Sequence, residues 1–189
     1  DKIDCGSGFV LSPDYCVDDA PQFDYLCVPG GKGRLSESNN ANLINFIQKQ
    51  YNSCKLMMSV CTGMFFLYKA GILKNHSVTT YWRALPEIIG DDSVTVVEER
   101  IVKSGNIWTS GGVSSGIDLM LEFINEIAGK SLAGQVQLMF EYFPTHTLYS
   151  SASDVHCLPR YPTETSDSNR TLPSYIQRFF ANAEPTKLP

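Results

Sequence analysis

No stretch of the chain approaches the ~20 consecutive apolar residues that a membrane-spanning helix needs, and the start, Asp1-Lys2-Ile3-Asp4, lacks the basic and apolar regions of a signal peptide. No run of Lys or Arg is present, and 15 basic residues stand against 20 acidic ones for a net charge of −5. That balance excludes an electrostatic nucleic-acid surface and a polybasic membrane anchor. No two of the six cysteines, Cys5, Cys16, Cys27, Cys54, Cys61 and Cys157, form a Cys-x-x-Cys unit. A chain of 189 residues has no need of disulfide staples, so they read as mostly reduced thiols. Histidine is scarce, and His76, His146 and His156 lie at ligand spacing from no cysteine, so no metal is expected. These absences leave a soluble, cytoplasmic protein acting on a small neutral or weakly polar molecule.

What is present is ordinary globular composition, 43% hydrophobic and 19% charged, enough for one domain with a substantial core. Tyr25 to Val28 reads as a buried strand running into Pro29-Gly30-Gly31-Lys32-Gly33. Residues 40–51 place Leu43, Ile44, Ile47 and Tyr51 on one helical face, with Asn39 or Asn40 as cap. Leu56 to Val60 is apolar without alternation, as in a strand buried on both faces, and Gly63 to Ala70 follows as a helix ending at Gly71. A short strand over 77–80 leads into a helical stretch over 82–89. A strand over 94–97 precedes a hairpin, residues 100–103 and 107–109, turned by Ser104-Gly105-Asn106. Residues 113–128 and 131–142 read as cover helices. This alternation predicts an α/β domain over 1–142 with a mostly parallel sheet and helices on both faces. From 143 to 189, Pro, Ser, Thr and Asp accumulate, which predicts an irregular extension with a short helix over 175–181.

The chemistry points to Ser59-Val60-Cys61-Thr62-Gly63, where strand meets helix in a "nucleophile elbow". A side chain presented on so tight a turn needs small residues two positions before and after it, which Ser59 and Gly63 supply. The helix that follows aims its amides at the sulfur, an arrangement predicted to pull the Cys61 pKa below that of a free thiol. Cys27 and Cys54, without such a turn, read as small buried hydrophobes. Thr62 is placed either to orient a water or substrate or to cap the helix. Amides of the turn, with those of Gly30 and Gly31, are predicted to hold a developing negative charge. The segment from Thr109 to Asp118, with Gly111 and Gly112, is a second glycine turn at the carboxyl edge of the sheet, where ligands of open α/β sheets bind. Ser114 or Ser115 and Asp118 read there as partners of a helix N-terminus.

Five motifs carry a family resemblance: residues 23–31 (FDYLCVPGG), 59–63 (SVCTG), 70–73 (AGIL), 79–82 (TTYW) and 108–118 (WTSGGVSSGID). Together they resemble the ThiJ/PfpI superfamily, the class I glutamine amidotransferase-like fold, and within it the isonitrile hydratases and the amidase-like domains of AraC-type regulators. The resemblance implies a flavodoxin-like three-layer sandwich, a homodimer, no cofactor, and Cys61 as nucleophile with Thr62 beside it. Tyr81 stands where many of these sequences have histidine, and a phenol is a poor general base at neutral pH but a competent hydrogen-bonding group toward substrate. The family also carries an acidic residue in a first strand–helix unit. This chain begins near the family's second strand, so an incomplete N-terminus is expected, the alternative being a partner that fills the gap, and Asp4, Asp14, Asp18 and Asp19 match no position of the pattern. The reaction implied is hydration of an isonitrile to an N-substituted formamide. The alternatives are glyoxalase-like or amidase-like chemistry on a small carbonyl compound, and a non-catalytic redox or ligand sensor.

Overall fold

A computed structural model describes residues 2–6, 8–144, 158, 161–163 and 172–182. Cys157, His146 and His156 lie outside the described residues.

An exposed hairpin, β1 (Ile3–Asp4) and β2 (Val10–Leu11), precedes the domain core. The core is built from β3 (Tyr25–Pro29), α1 (Arg34–Glu37), α2 (Ala41–Tyr51), β4 (Leu56–Val60) and α3 (Met64–Lys69). The short strands β5 (Ser77–Val78) and β6 (Thr95–Val96) flank a 3-10 stretch, Trp82–Glu87. Then come β7 (Ile101–Ser104), β8 (Ile107–Ser110), α4 (Val113–Ala128), α5 (Lys130–Met139) and α6 (Ser174–Asn182). The main sheet runs β3-β4-β8-β7, its first three strands parallel and β7 antiparallel to β8. β5 and β6 form a separate parallel pair. The fold is the predicted α/β sandwich with a mostly parallel sheet. The stretch after Tyr81 departs from the expected α-helix: Pro86, inside it, has no amide to donate, and the chain keeps the tighter 3-10 winding.

Strand register explains why β4 carries apolar residues on both faces. Met57 pairs with Ile107, and both enter the core beneath α2 and α3, with Ile47, Met64 and Leu67. Met58 pairs with Trp108, and both face the opposite side, where Leu119 of α4 closes the layer. Each fully buried Met, Leu or Ile there stabilises the fold by roughly 1.5–3 kcal/mol. Asn40 caps α2 by accepting from the amides of Asn42 and Leu43, and Gly129 ends α4 with φ +85°. α5 is no second sheet cover: its one buried residue is Ala133, and it packs on α4. Among the described residues no helix is long and apolar enough to cross a membrane.

Candidate active site

β4 ends in extended backbone at Val60, and the next residue, Cys61, turns with φ +59° into a 3-10 turn, Cys61–Gly63, that continues as α3. A non-glycine residue in the left-handed region carries a conformational cost, so its neighbours must hold it. They do so from both sides. The Cys61 amide donates to the Gly111 carbonyl at 2.8 Å, and the Cys61 carbonyl accepts from the Thr80 hydroxyl at 2.8 Å.

Close approach dictates the glycines. A Cβ on Gly63 would stand 2.0 Å from the Val28 carbonyl oxygen, and one on Gly30 would stand 2.5 Å from both the amide and the hydroxyl of Thr62. The end of β3 and the elbow are therefore in backbone contact, as the pairing of Pro29 with Val60 requires. Ser59, the other small residue, is fully buried.

Thr62 does not take the capping part. It makes no side-chain cap, and its hydroxyl accepts from the Gly31 amide at 3.1 Å. That bond also corrects the expectation for Gly31, whose N–H is occupied by Thr62 rather than aimed at substrate. Gly30 supplies clearance for Thr62. In the second glycine turn, the Gly111 N–H donates to the Arg100 carbonyl at 3.0 Å, while the Gly111 carbonyl accepts from Cys61 and so holds the elbow. Gly112 packs on the Tyr81 ring: an added Cβ would lie 3.4 Å from Tyr81 Cδ2. Asp118 departs from its expected place at the helix dipole. It accepts from Arg100 Nε at 2.5 Å and from the Tyr142 hydroxyl at 2.9 Å. Ser114 likewise accepts from Arg100 Nη2 at 3.1 Å instead of capping α4.

Cys61 is a half-buried free thiol. Burial pushes its pKa up, against the downward pull of the Thr62 amide and hydroxyl and of the Arg34 charge. The predicted depression is thus reversed: loss of hydration around the sulfur outweighs the amides of a short turn. Cys27 and Cys54 are also pushed up by burial, and Cys54, buried, directs its thiol at the Leu56 carbonyl at 2.9 Å.

The side chains around Cys61 come from distant segments. Tyr81 is half-buried, its pKa raised by burial, with Trp82 and Tyr161 edge-on at 6.0 and 5.6 Å between ring centres. Arg34, buried at the start of α1, forms a bidentate pair with Glu87 at 2.7 and 2.8 Å and lies over the Phe65 ring at 4.3 Å. The sequence assigns no role to Arg34, Glu87 or Tyr161, whose separations in the chain follow no motif spacing, nor to Thr80, which lies within the 79–82 motif. The groups acting on the Cys61 thiol are Thr62 and Arg34, and no carboxylate of the described residues is among them. Asp4 accepts instead from Gly6, and Asp19 from Cys16, both on the surface.

Chemically, this arrangement holds a neutral thiol at the carboxyl edge of the sheet, with a hydroxyl and a phenol beside it and a cation within electrostatic reach. The DJ-1/PfpI family profile matches residues 1–126. An isonitrile hydratase of Pseudomonas putida is 34% identical over 152 residues, covering 80% of this chain and 66% of that enzyme. The HTH-type transcriptional regulator GbdR of Pseudomonas aeruginosa is 29% identical over 142 residues, or 75% of this chain and 38% of the regulator. The crystal structure of a ThiJ/PfpI family protein from Pseudomonas syringae superposes with a TM-score of 0.72 at 26% identity, covering 94% of this chain and 67% of that one. The chain therefore spans about two thirds of the hydratase and much less of the regulator. With the cysteine elbow, the glycine loop at the end of β3 and the mostly parallel sheet in place, the chain belongs to the DJ-1/PfpI family.

Proposed function

We propose that this domain adds water to an isonitrile to give an N-substituted formamide, with Cys61 as the reacting group. The observation that carries the reading is a half-buried free Cys61 on the elbow, its thiol pushed up in pKa by burial, in a chain similar to the Pseudomonas putida hydratase. An isonitrile carbon accepts first a proton and then a nucleophile at the same atom. A neutral thiol brings both.

The thiol proton passes to the terminal carbon and the sulfur bonds to it, giving a thioformimidate, R–N=CH–S–Cys61. Water then adds to that carbon, nitrogen takes a proton, and the C–S bond breaks with return of the proton to sulfur. The product is R–NH–CHO, and nothing is oxidised or reduced. Thr62, which accepts from Gly31, keeps its own hydroxyl hydrogen for the entering water or the sulfur. Tyr81, held as a phenol by burial, donates to the substrate nitrogen.

The deciding experiment follows formamide from an alkyl isonitrile with the protein and its Cys61→Ala variant. The expected result is turnover lost by a factor of 10³ or more. Equal turnover removes Cys61 from the mechanism. No turnover with either protein favours a glyoxalase-like or amidase-like reaction, or a sensor.

A further inference from the structure

Beside the elbow lies a cavity of about 850 Å³ whose lining includes Tyr81, Trp82, Ile117, Tyr142, Tyr175 and Ile176. Its size and mostly apolar wall suit a drug-sized organic group. Its two charged residues neutralise each other, since Arg100 and Asp118 are paired at 2.5 Å, with Ser114 and Tyr142 taking further hydrogen bonds of the pair. A charged ligand would have to break that pair, so the wall favours a neutral one.

Two of the lining residues, Tyr175 and Ile176, lie on α6, well past residue 126, where the family match ends. The helix is fastened at two points: the Ser174 amide donates to Glu98 Oε2 at 2.7 Å, and Arg178 Nη2 donates to Glu99 Oε1 at 2.6 Å. It brings the Tyr175 hydroxyl against Gly111, where an added Cβ would lie 3.4 Å from it. Gly111 is also the residue whose carbonyl holds the Cys61 amide. The next residue, Gly112, packs on Tyr81. Cys61 does not line the cavity. The cavity instead abuts the backbone and the phenol that surround the cysteine.

We infer that this cavity is the subsite for the carbon substituent of the substrate, and that Tyr175, supplied by the C-terminal helix, is a specificity-determining residue selecting neutral, ring-bearing compounds. The inference rests on Cys61 being the reacting group, as in the reading above, but not on the isonitrile reaction.

It is tested by alkylation. Chloroacetamide and N-benzyl chloroacetamide carry the same reactive carbon, from which the Cys61 sulfur displaces chloride, and differ only by the benzyl group on nitrogen. Rates are read at the Cys61 peptide by mass spectrometry, because other thiols also react. The benzyl reagent is expected to react faster than the plain one in the unmodified protein. Tyr175→Ala lowers the ratio of the two rates about tenfold, whereas Tyr175→Phe retains it. Ile176→Trp, which fills the cavity instead of emptying it, lowers the ratio too and stands in if Tyr175→Ala fails to fold. A ratio unchanged in both Tyr175→Ala and Ile176→Trp, or no preference for the benzyl reagent at the start, overturns the proposal. With benzyl and methyl isonitrile as substrates, the same loss is expected in kcat/KM, carried mainly by KM for the benzyl compound. Failure of every isonitrile to react overturns the hydratase reading alone, since the alkylation ratio still decides the cavity.

Discussion

The Thr80 hydroxyl donates to the Cys61 carbonyl at 2.8 Å, tying the left-handed residue of the elbow to the loop that follows β5. Thr80 is completely buried, so this bond has no competition from water. Thr80→Val keeps the shape and leaves the carbonyl unpaired, at a cost of about 1–3 kcal/mol. A lower melting temperature is expected, with slower alkylation of Cys61 as the elbow loosens. Thr80→Ser, which keeps the donor, is expected to restore most of both. An unchanged melting temperature in Thr80→Val would show that the bond holds nothing.

Gly63 meets the Val28 carbonyl so closely that any side chain must push β3 away from the elbow. Gly63→Ala is expected to destabilise the domain by about 3 kcal/mol or more. Gly30→Ala, whose Cβ would meet the amide and the hydroxyl of Thr62 at 2.5 Å and the Gly63 amide at 2.8 Å, is expected to cost less, because these approaches are longer than that of a Gly63 Cβ to the Val28 carbonyl. Chemical denaturation of the two variants measures the order; the reverse order would contradict the geometry.

The Cys61 pKa, raised by burial, predicts an alkylation rate that keeps climbing beyond the ordinary thiol range. Thr62→Val and Arg34→Met each remove a group that favours the thiolate, so each moves the profile further up. The sign for stability follows. A thiol with a raised folded-state pKa contributes stability below its unfolded pKa and loses it as pH rises through the folded one. Cys27, Cys54 and Cys61 all shift upward, so melting temperature is expected to fall above the ordinary thiol range, less steeply in Cys61→Ala. A Cys61 profile lying below that range would refute the role of burial.

Arg34 and Glu87 form a bidentate pair in which the arginine side chain is 8% exposed and the glutamate 22%. Glu87→Gln leaves the buried guanidinium without its counter-charge and is expected to cost about 3 kcal/mol. Combining it with Arg34→Met is expected to recover part of that loss, since no lone buried charge then remains. Denaturant midpoints of the four proteins in the cycle test this, and additive losses would indicate that the pair is uncoupled.

Much of the fold was legible before any coordinates. The unbroken apolar run of β4 is the mark of a strand covered on both faces, and Met57 and Met58 do face opposite cores. Asn40 and Gly129 punctuate α2 and α4 as their chemistry demands. The elbow itself was legible because tight turns leave room for few residue types, and Gly63 is held to that rule by the Val28 carbonyl. Less legible were the partners of the turn. Gly31 and Gly111 were read as groups for substrate, yet the Gly31 amide and both backbone groups of Gly111 are engaged within the protein. A sequence shows that a glycine permits an amide to point somewhere, and only the fold shows what stands there.

The sequence by itself determined the strand–turn–helix frame, the small residues packed around Cys61, and through them the family. Local sterics and hydrophobic periodicity act over a few residues and can be read in order. Tertiary structure decided the state of the sulfur and the company it keeps. Burial reversed the expected direction of its pKa. Arg34, Tyr81, Glu87 and Tyr161 were gathered from segments as much as 127 residues apart. Ionisation and pocket shape depend on what surrounds a group in space, and those neighbours are set by packing of the whole chain.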